Sequence, residues 1–491
     1  MSRFAVPPFL QSLFAGALAV FAFAPFGLFP LAVLSLLLLF RVWLRYERPG
    51  QAAWSGFIFG MGLFSFGVGW IYVALHDYGY MHPVLAIVAT LLFAAFISLP
   101  LALAGYLQAR WLFAAEVRVL LVVPAAWVLA EWLRGGMFTG FPWLVFGYAQ
   151  TAPSPLAGYA PVLGVYGVSL MVAVSAGMLL LWERRRHGAP LAALAALWLG
   201  GVLLQQMAWT QPDGEPLKVS LLQGNIPQDE KFSQERLVGT LETYRRLAQG
   251  SDARLIVMPE TALPMLRHNV PAYYQAMLGD HVRQNGGDIL IGAFEKEAGS
   301  YYNSVYTLGS AASQHYRKDH LVPFGEFIPL RSVLGWFINE VLDIPMGDLA
   351  SGGTRQPPLA VTGQRVAVNI CYEDAFGEEI IRALPQATLL VNVTNDAWYG
   401  QSHAAEQHNQ MAQLRALETG RMMLRATNTG VTSVIDREGR VVARLPQFEE
   451  GVLTAEVRGH IGATPYVRWG NAAVLLLLAA MLVLALRWRG R

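Results

Sequence analysis

Three side chains able to do covalent chemistry stand at or near the ends of strand-like runs in the second half of the sequence. Glu260 closes LIVMPE, Lys318 lies in QHYRKDH and Cys371 closes VAVNIC. Cys371 is the only cysteine in 491 residues, so it has no partner for an internal disulfide and the framework must come from packing. A thiol is a weak nucleophile until it loses its proton, its free pKa being about 8.5. A carboxylate can take that proton, and an ammonium can stabilise the oxyanion of a tetrahedral intermediate. Cys, Glu and Lys therefore suffice for acyl transfer through a thioester. By spacing alone, a cysteine ending a buried strand is more simply a small core residue. Sites in α/β folds gather at strand ends, however, and that would let the three meet.

These runs belong to a stretch, about 212–465, made of short β-type segments such as LKVSLLQGN, DILIGAFE, ATLLVNVTND and GVLTAEV. Helical patterns, SQERLVGTLETYRRLAQ and HNQMAQLRALETGRMMLRA among them, fall between. Such alternation predicts helices packed on a sheet.

Up to about residue 210 the pattern is different: long apolar runs are separated by brief charged or Pro/Gly breaks, and the only acids are Glu47, Asp77, Glu116, Glu131 and Glu183. A span of about 17–25 apolar residues crosses the hydrocarbon core as a helix. Seven windows qualify, near 9–26, 28–44, 54–75, 84–106, 118–134, 162–182 and 190–208, and an eighth lies near 472–487. Pro25, Gly27 and Pro30 separate the first two. The first window lacks an obvious cleavage site and reads as a span rather than a signal peptide. The expected organisation is a seven-helix membrane domain over 1–211, a catalytic domain over 212–465, and a final helix with its tail over 466–491. Gly56, Gly60, Gly62, Gly67 and Gly69 offer small faces for close helix packing.

A composition of 54% hydrophobic and 14% charged residues, with a positive mean hydropathy, fits a membrane protein. A net charge of +2 gives no reason to propose a nucleic-acid partner. Orientation follows from arginine in short loops. Arg3, the Arg41–Arg48 cluster, Arg110 and Arg118, Arg184–Arg186, and Arg487, Arg489 and Arg491 share one side if eight helices alternate. Both termini are then cytoplasmic, and 212–465 lies outside the cytoplasm.

The motifs MPETALP, YRKDHLVPFGEFIP, NICYEDAF, NVTNDAWYG and ALETGRMMLRATNTG occur in that order, and their stretch resembles the carbon–nitrogen hydrolase (nitrilase) superfamily. With AEWLRGGMFTGFPWLVFGYAQ at 130–150 before it, the whole chain is similar to the apolipoprotein N-acyltransferase family of bacterial inner-membrane enzymes. The resemblance implies an αββα sandwich on a polytopic helical base, facing the periplasm. It also implies transfer of an acyl chain from a phospholipid, typically phosphatidylethanolamine, to the N-terminal amine of a diacylglyceryl-cysteine lipoprotein. Glu260 would be the general base, Lys318 the oxyanion partner and Cys371 the nucleophile, helped by backbone N–H groups after Cys371. Glu326, Tyr372 and Glu373 match supporting positions. Phe232 stands where a tryptophan is expected. No metal or other cofactor is implied, and the enzyme is expected to act as a monomer.

Neighbouring residues have simpler readings. Asp374 reads as a helix cap, Arg421 as an internal ion-pair partner, and Asn395, Asp396 and Trp398 as rim or turn residues. His403 and His408, five apart, do not share a helix face, so HAAEQH is not a zinc site. Trp143 reads as an aromatic anchor at the membrane interface, and the resemblance implies a role near the lipid entrance. The apolar segment 326–346, with Trp336 and Phe337, is expected to be an arm lying on the membrane. A membrane-anchored amidase acting on a small amide is the nearest rival, but one span would tether a hydrolase. A transporter would carry charges inside its spans, whereas the acids here fall near segment ends.

Overall fold

The computed structural model describes residues 6–111, 113–328 and 348–488. The chain forms two compact units: one comprises the residues up to Tyr72, His82–Met207 and those from Arg468 on, the other Val73–Met81 and Ala208–Val467.

In the first unit each of the eight apolar windows contains a helix: Pro8–Val20, Pro30–Trp43, Pro49–Gly67, Pro83–Arg110, Val123–Gly136, Ala160–Arg185, Ala189–Gln205 and Ala472–Arg487. Pro8, Pro30, Pro49 and Pro83 stand at the first helical position, where a missing N–H costs nothing and the fixed φ suits a helix. Pro83–Arg110 and the 31-residue stretch Pro155–Arg185 are long and apolar enough to cross a membrane unaided. Pro49–Gly67 and Ile71–Tyr78 form a pair bent by 59° that together could make a further crossing, and four of the remaining apolar helices are shorter. Small residues let these helices approach. A Cβ at Gly56 would collide with the Leu101 carbonyl oxygen, and one at Gly62 with that of Leu13.

The acids of this unit do not all lie at segment ends. Glu131 and Arg134, on the helix Val123–Gly136, are buried. Glu131 accepts from Phe146 N at 2.9 Å and from the Ser169 hydroxyl, and Arg134 donates to the Phe141 and Trp143 carbonyls. The pair thus clamps the 141–146 loop.

The second unit is built on two sheets. Its strands are β1 (Thr210–Gln223), β2 (Leu255–Val257), β3 (Leu263–Leu266), β4 (Asp288–Glu297), β5 (Ser300–Gly309), β6 (His315–Arg317), β7 (Leu359–Val361), β8 (Gln364–Ile370), β9 (Leu389–Thr394), β10 (Met423–Thr427), β11 (Ser433–Ile435), β12 (Val441–Arg444) and β13 (Gly451–Gly462). Among the described residues the first sheet runs β13-β1-β2-β4-β5-β6 with β3 beside β4, and the second runs β12-β11-β10-β9-β8-β7. The central pairs β1–β2, β2–β4, β8–β9 and β9–β10 are parallel.

Side chains alternate across a strand, and here the two faces of each central strand enter different cores. Leu255 and Val257 of β2, Val366, Val368 and Ile370 of β8, and Val391 and Val393 of β9 meet in one cluster between the sheets. Ile256 instead joins Tyr244, Leu278 and Val282 from the helices Gln234–Gln249 and Ala272–Gln284. Ala367 and Leu390 join Ala412 and Ala416 of the helix Ala404–Thr419. The result is four layers, helix, sheet, sheet, helix. Burial on both faces explains why these strands read as unbroken apolar runs.

Candidate active site

Each chemically competent residue follows a strand of this sandwich. Glu260 comes three residues after β2, Lys318 directly after β6 and Cys371 directly after β8. All three are buried. Cys371 begins a short turn, Cys371–Ala375, and has a left-handed backbone with φ +55°. A side chain pays for that conformation in steric strain, and such residues collect at functional sites.

The charged groups converge. Lys318 Nζ donates to Glu326 Oε1 at 2.9 Å and lies 3.6 Å from Glu260 Oε1. Burial disfavours the ammonium, but Glu326 and Glu260 outweigh it and hold the lysine above its ordinary range. The Cys371 thiol is pushed up, first by burial and then by the Glu260 carboxylate, with Lys318 acting in the opposite sense. Cys371 is therefore a neutral thiol, which would need a base in order to act as a nucleophile.

Asn303, on β5, was not singled out by sequence. Its Nδ2 donates to Glu260 Oε1 at 2.7 Å and to Glu326 Oε1 at 3.3 Å, while its backbone carbonyl accepts from Lys318 N at 2.8 Å. Lys231 is also buried and donates to the Glu260 carbonyl at 3.1 Å. Burial pushes its pKa down to about 8 despite the pull of Glu260 and Cys371.

Glu373 ties the lysine and cysteine segments together. It accepts from Asp319 N at 2.7 Å, from His320 N at 3.1 Å and from Ile370 N at 2.6 Å, and Tyr316 donates to it at 3.0 Å. Burial pushes its pKa up to about 7 against those backbone donors and Lys318. Tyr372 packs edge-on to Phe376 at 5.1 Å and to His320 at 5.9 Å. Phe232 is 55% exposed and leans on Phe294 at 6.3 Å.

Behind Cys371 lies a sealed ionic cluster. His408 contacts Asp396 Oδ1 at 2.9 Å and Asp374 Oδ1 at 2.8 Å, and Arg425 donates to Asp374 at 2.8 Å and to Asp396 at 3.1 Å. Asp374 is thus an ion-pair partner and not the helix cap expected of it. Arg421 proves the reverse: it donates to the Ala387 and Gly462 carbonyls, each at 2.8 Å, and to no carboxylate among the described residues. Burial without an anion lowers its pKa to about 10. Glu406 of HAAEQH pairs with Arg444 at 2.7 Å, away from His408's partners.

Trp143 belongs to the membrane unit. Its side chain is buried, 5.0 Å from Trp70 and stacked at 6.1 Å on Phe141, so it packs inside that unit and not as an exposed interfacial anchor. Trp336, with the rest of the proposed arm beyond Ile328, lies outside the described residues.

A cysteine, a glutamate and a lysine thus follow strands of a four-layer sandwich, and the comparisons give the class of protein that this fold belongs to. The family model described as carbon-nitrogen hydrolase matches residues 218–466, so this half is a carbon–nitrogen hydrolase domain. A second, described as apolipoprotein N-acyltransferase N-terminal domain, matches residues 15–178. The chain is 52% identical over 471 residues to an apolipoprotein N-acyltransferase from Nitrosomonas europaea, covering 95% of each. It is 46% identical over 489 residues to one from Methylococcus capsulatus, covering 98% of this chain and 96% of that one. Among solved structures, a CN-hydrolase superfamily protein from Xanthomonas campestris is 19% identical with a TM-score of 0.37, over 55% of this chain and 97% of that one. The chain belongs to the apolipoprotein N-acyltransferase family.

Proposed function

We propose that this protein takes an acyl chain from a membrane phospholipid, phosphatidylethanolamine being the expected donor, and passes it to the N-terminal amine of a diacylglyceryl-cysteine lipoprotein. The full-length likeness to named apolipoprotein N-acyltransferases carries this reading. The grouping of Glu260, Lys318 and Glu326 beside Cys371 supports its chemistry.

In the first half-reaction Cys371 Sγ attacks the ester carbonyl as Glu260 takes the thiol proton. Lys318 faces the negative charge that develops on the carbonyl oxygen. The C–O bond breaks, the proton passes to the leaving alkoxide, and a lysophospholipid departs from a thioester. In the second, the lipoprotein amine attacks the thioester. A C–N bond forms, the C–S bond breaks, and the amine proton returns through Glu260 to the sulfur. Glu326 holds Lys318, Glu373 joins the Lys318 and Cys371 segments, and Tyr372 and Phe232 contribute aromatic surface near them.

The membrane setting completes the proposal. All eight apolar helices cross a bacterial inner membrane, with 1–211 and 466–491 forming the base and 212–465 facing the periplasm. The enzyme acts as a monomer, and the segment 326–346, Trp336 included, admits lipid tails from the membrane surface. The deciding experiment is mass spectrometry of the purified protein incubated with phospholipid and no acceptor, followed by a diacylglyceryl peptide. An acyl mass on Cys371 that the peptide discharges is expected. A peptide acylated by the Cys371→Ala variant would overturn the reading.

A further inference from the structure

Three acceptors, Asp396 Oδ1, Asp374 Oδ1 and the Cys371 carbonyl oxygen, face the two ring nitrogens of His408 at 2.9, 2.8 and 3.3 Å. A neutral imidazole donates from one nitrogen only. Nδ1 faces the Asp396 carboxylate and Nε2 faces the Asp374 carboxylate and the Cys371 carbonyl, so a proton on each nitrogen gives every one of these acceptors a donor. The cluster then balances, with two carboxylates against His408 and Arg425, all four buried. Removing the imidazolium charge would leave a net negative group behind the thiol.

The Cys371 carbonyl is also held by Asn392 Nδ2 at 3.0 Å, and Asn392 is fixed in turn by Arg425 at 2.8 Å. That carbonyl shares one rigid plane with Tyr372 N–H, and in a trans peptide the two point in opposite directions. Anchoring the oxygen therefore sets the direction of the first N–H after the nucleophile.

We infer that His408 is a positioning residue: an imidazolium that aims the Cys371–Tyr372 peptide and neutralises the carboxylates behind the thiol. The inference rests on the reading of Cys371 as nucleophile. Burial and Arg425 oppose its protonation, yet Asp374 and Asp396 raise its pKa overall. The groups facing it are Asp374 from the turn after β8, Asp396 from the turn after β9, Arg425 from β10 and the Cys371 carbonyl. Without the charge, Asp396, already among the groups that raise the thiol pKa, acts unopposed by it.

Two measurements on the full chain in lipid nanodiscs test this. Histidine-selective 15N NMR of the unmodified protein at pH 8, where a histidine of ordinary pKa is almost entirely neutral, should show one imidazole protonated on both nitrogens. Its absence overturns the inference whether or not any variant folds. Alkylation of Cys371, the only thiol, is then followed from pH 6 to 10 in His408→Gln. The rate should fall about 10-fold or more at every pH in this range, while acyl transfer loses about 10- to 100-fold in kcat with little change in KM. An unchanged alkylation profile overturns the positioning role. Acylation surviving in Cys371→Ala would remove the nucleophile assignment and leave the NMR result standing.

Discussion

Asn303 Nδ2 lies 2.7 Å from Glu260 Oε1 and donates to it. The same amide reaches Glu326 at 3.3 Å, so one uncharged side chain orients two carboxylates around Lys318. Replacing a partner of this kind commonly costs 10- to 100-fold in activity. Asn303→Ala should lose about that much in the rate of acyl-enzyme formation with little change in thermal stability, as read by rapid-quench mass spectrometry. A rate within about twofold of the parent would show that Glu260 orients itself.

Lys318 owes its protonation to its neighbours. Burial alone would lower its pKa, and Glu326 provides the leading opposition. In Glu326→Gln the leading opposition to burial is gone, so the ammonium is lost at a lower pH than in the parent. The alkaline limb of the pH–rate profile should move down, and acyl-enzyme formation should slow about 10- to 100-fold. An unmoved limb would mean that Lys318 does not govern it.

The left-handed backbone at Cys371 yields a comparison independent of catalysis. Both Cys371→Ala and Cys371→Gly lack the sulfur, but only alanine must place a Cβ against the following carbonyl. The glycine variant should be the more stable of the two by about 1 kcal/mol, measured by intrinsic tryptophan fluorescence on heating. Greater stability of the alanine variant would mean that the turn carries no strain at this position.

Lys231 links stability to pH. Its folded pKa is pushed down to about 8 from an ordinary 10.5, mainly by burial. Between those values the unfolded chain binds more protons than the folded one, so this group makes stability rise with pH across that window. At pH 7 the folded protein carries a disfavoured charge costing about 3 kcal/mol. Lys231→Met removes that cost and also the hydrogen bond to the Glu260 carbonyl, about 1–2 kcal/mol. A net gain of about 1–2 kcal/mol at pH 7 should fade toward pH 10.5. A gain equal at both pH values would come from packing and not from charge.

The strands, and the placement of Glu260, Lys318 and Cys371 at or near their ends, were legible because burial on two faces writes continuous apolar runs, and Cys371 follows one of them. The helical windows were legible for the same reason, although their ends were not: the apolar run through 21–26 continues hydrophobic while Pro8–Val20 ends before it. Asn303 escaped notice because nothing in SYYNSVY distinguishes an inward amide from an outward one. The roles of Asp374, Arg421 and His408 were hidden because their partners lie far along the chain, Arg425 being 51 residues from Asp374. Trp143 was misplaced because sequence reports an aromatic near a span end, not the Trp70 and Phe141 rings that enclose it.

Glu260 and Lys318 are carried by one sheet and Cys371 by the other, and the cluster between the sheets must close before they can meet. During biosynthesis Glu260 emerges 111 residues before Cys371, and the thiol then waits for the second sheet to dock. Until then the chain carries an ordinary, unassisted cysteine, and whatever chemistry the three residues perform together arrives with the last stage of folding.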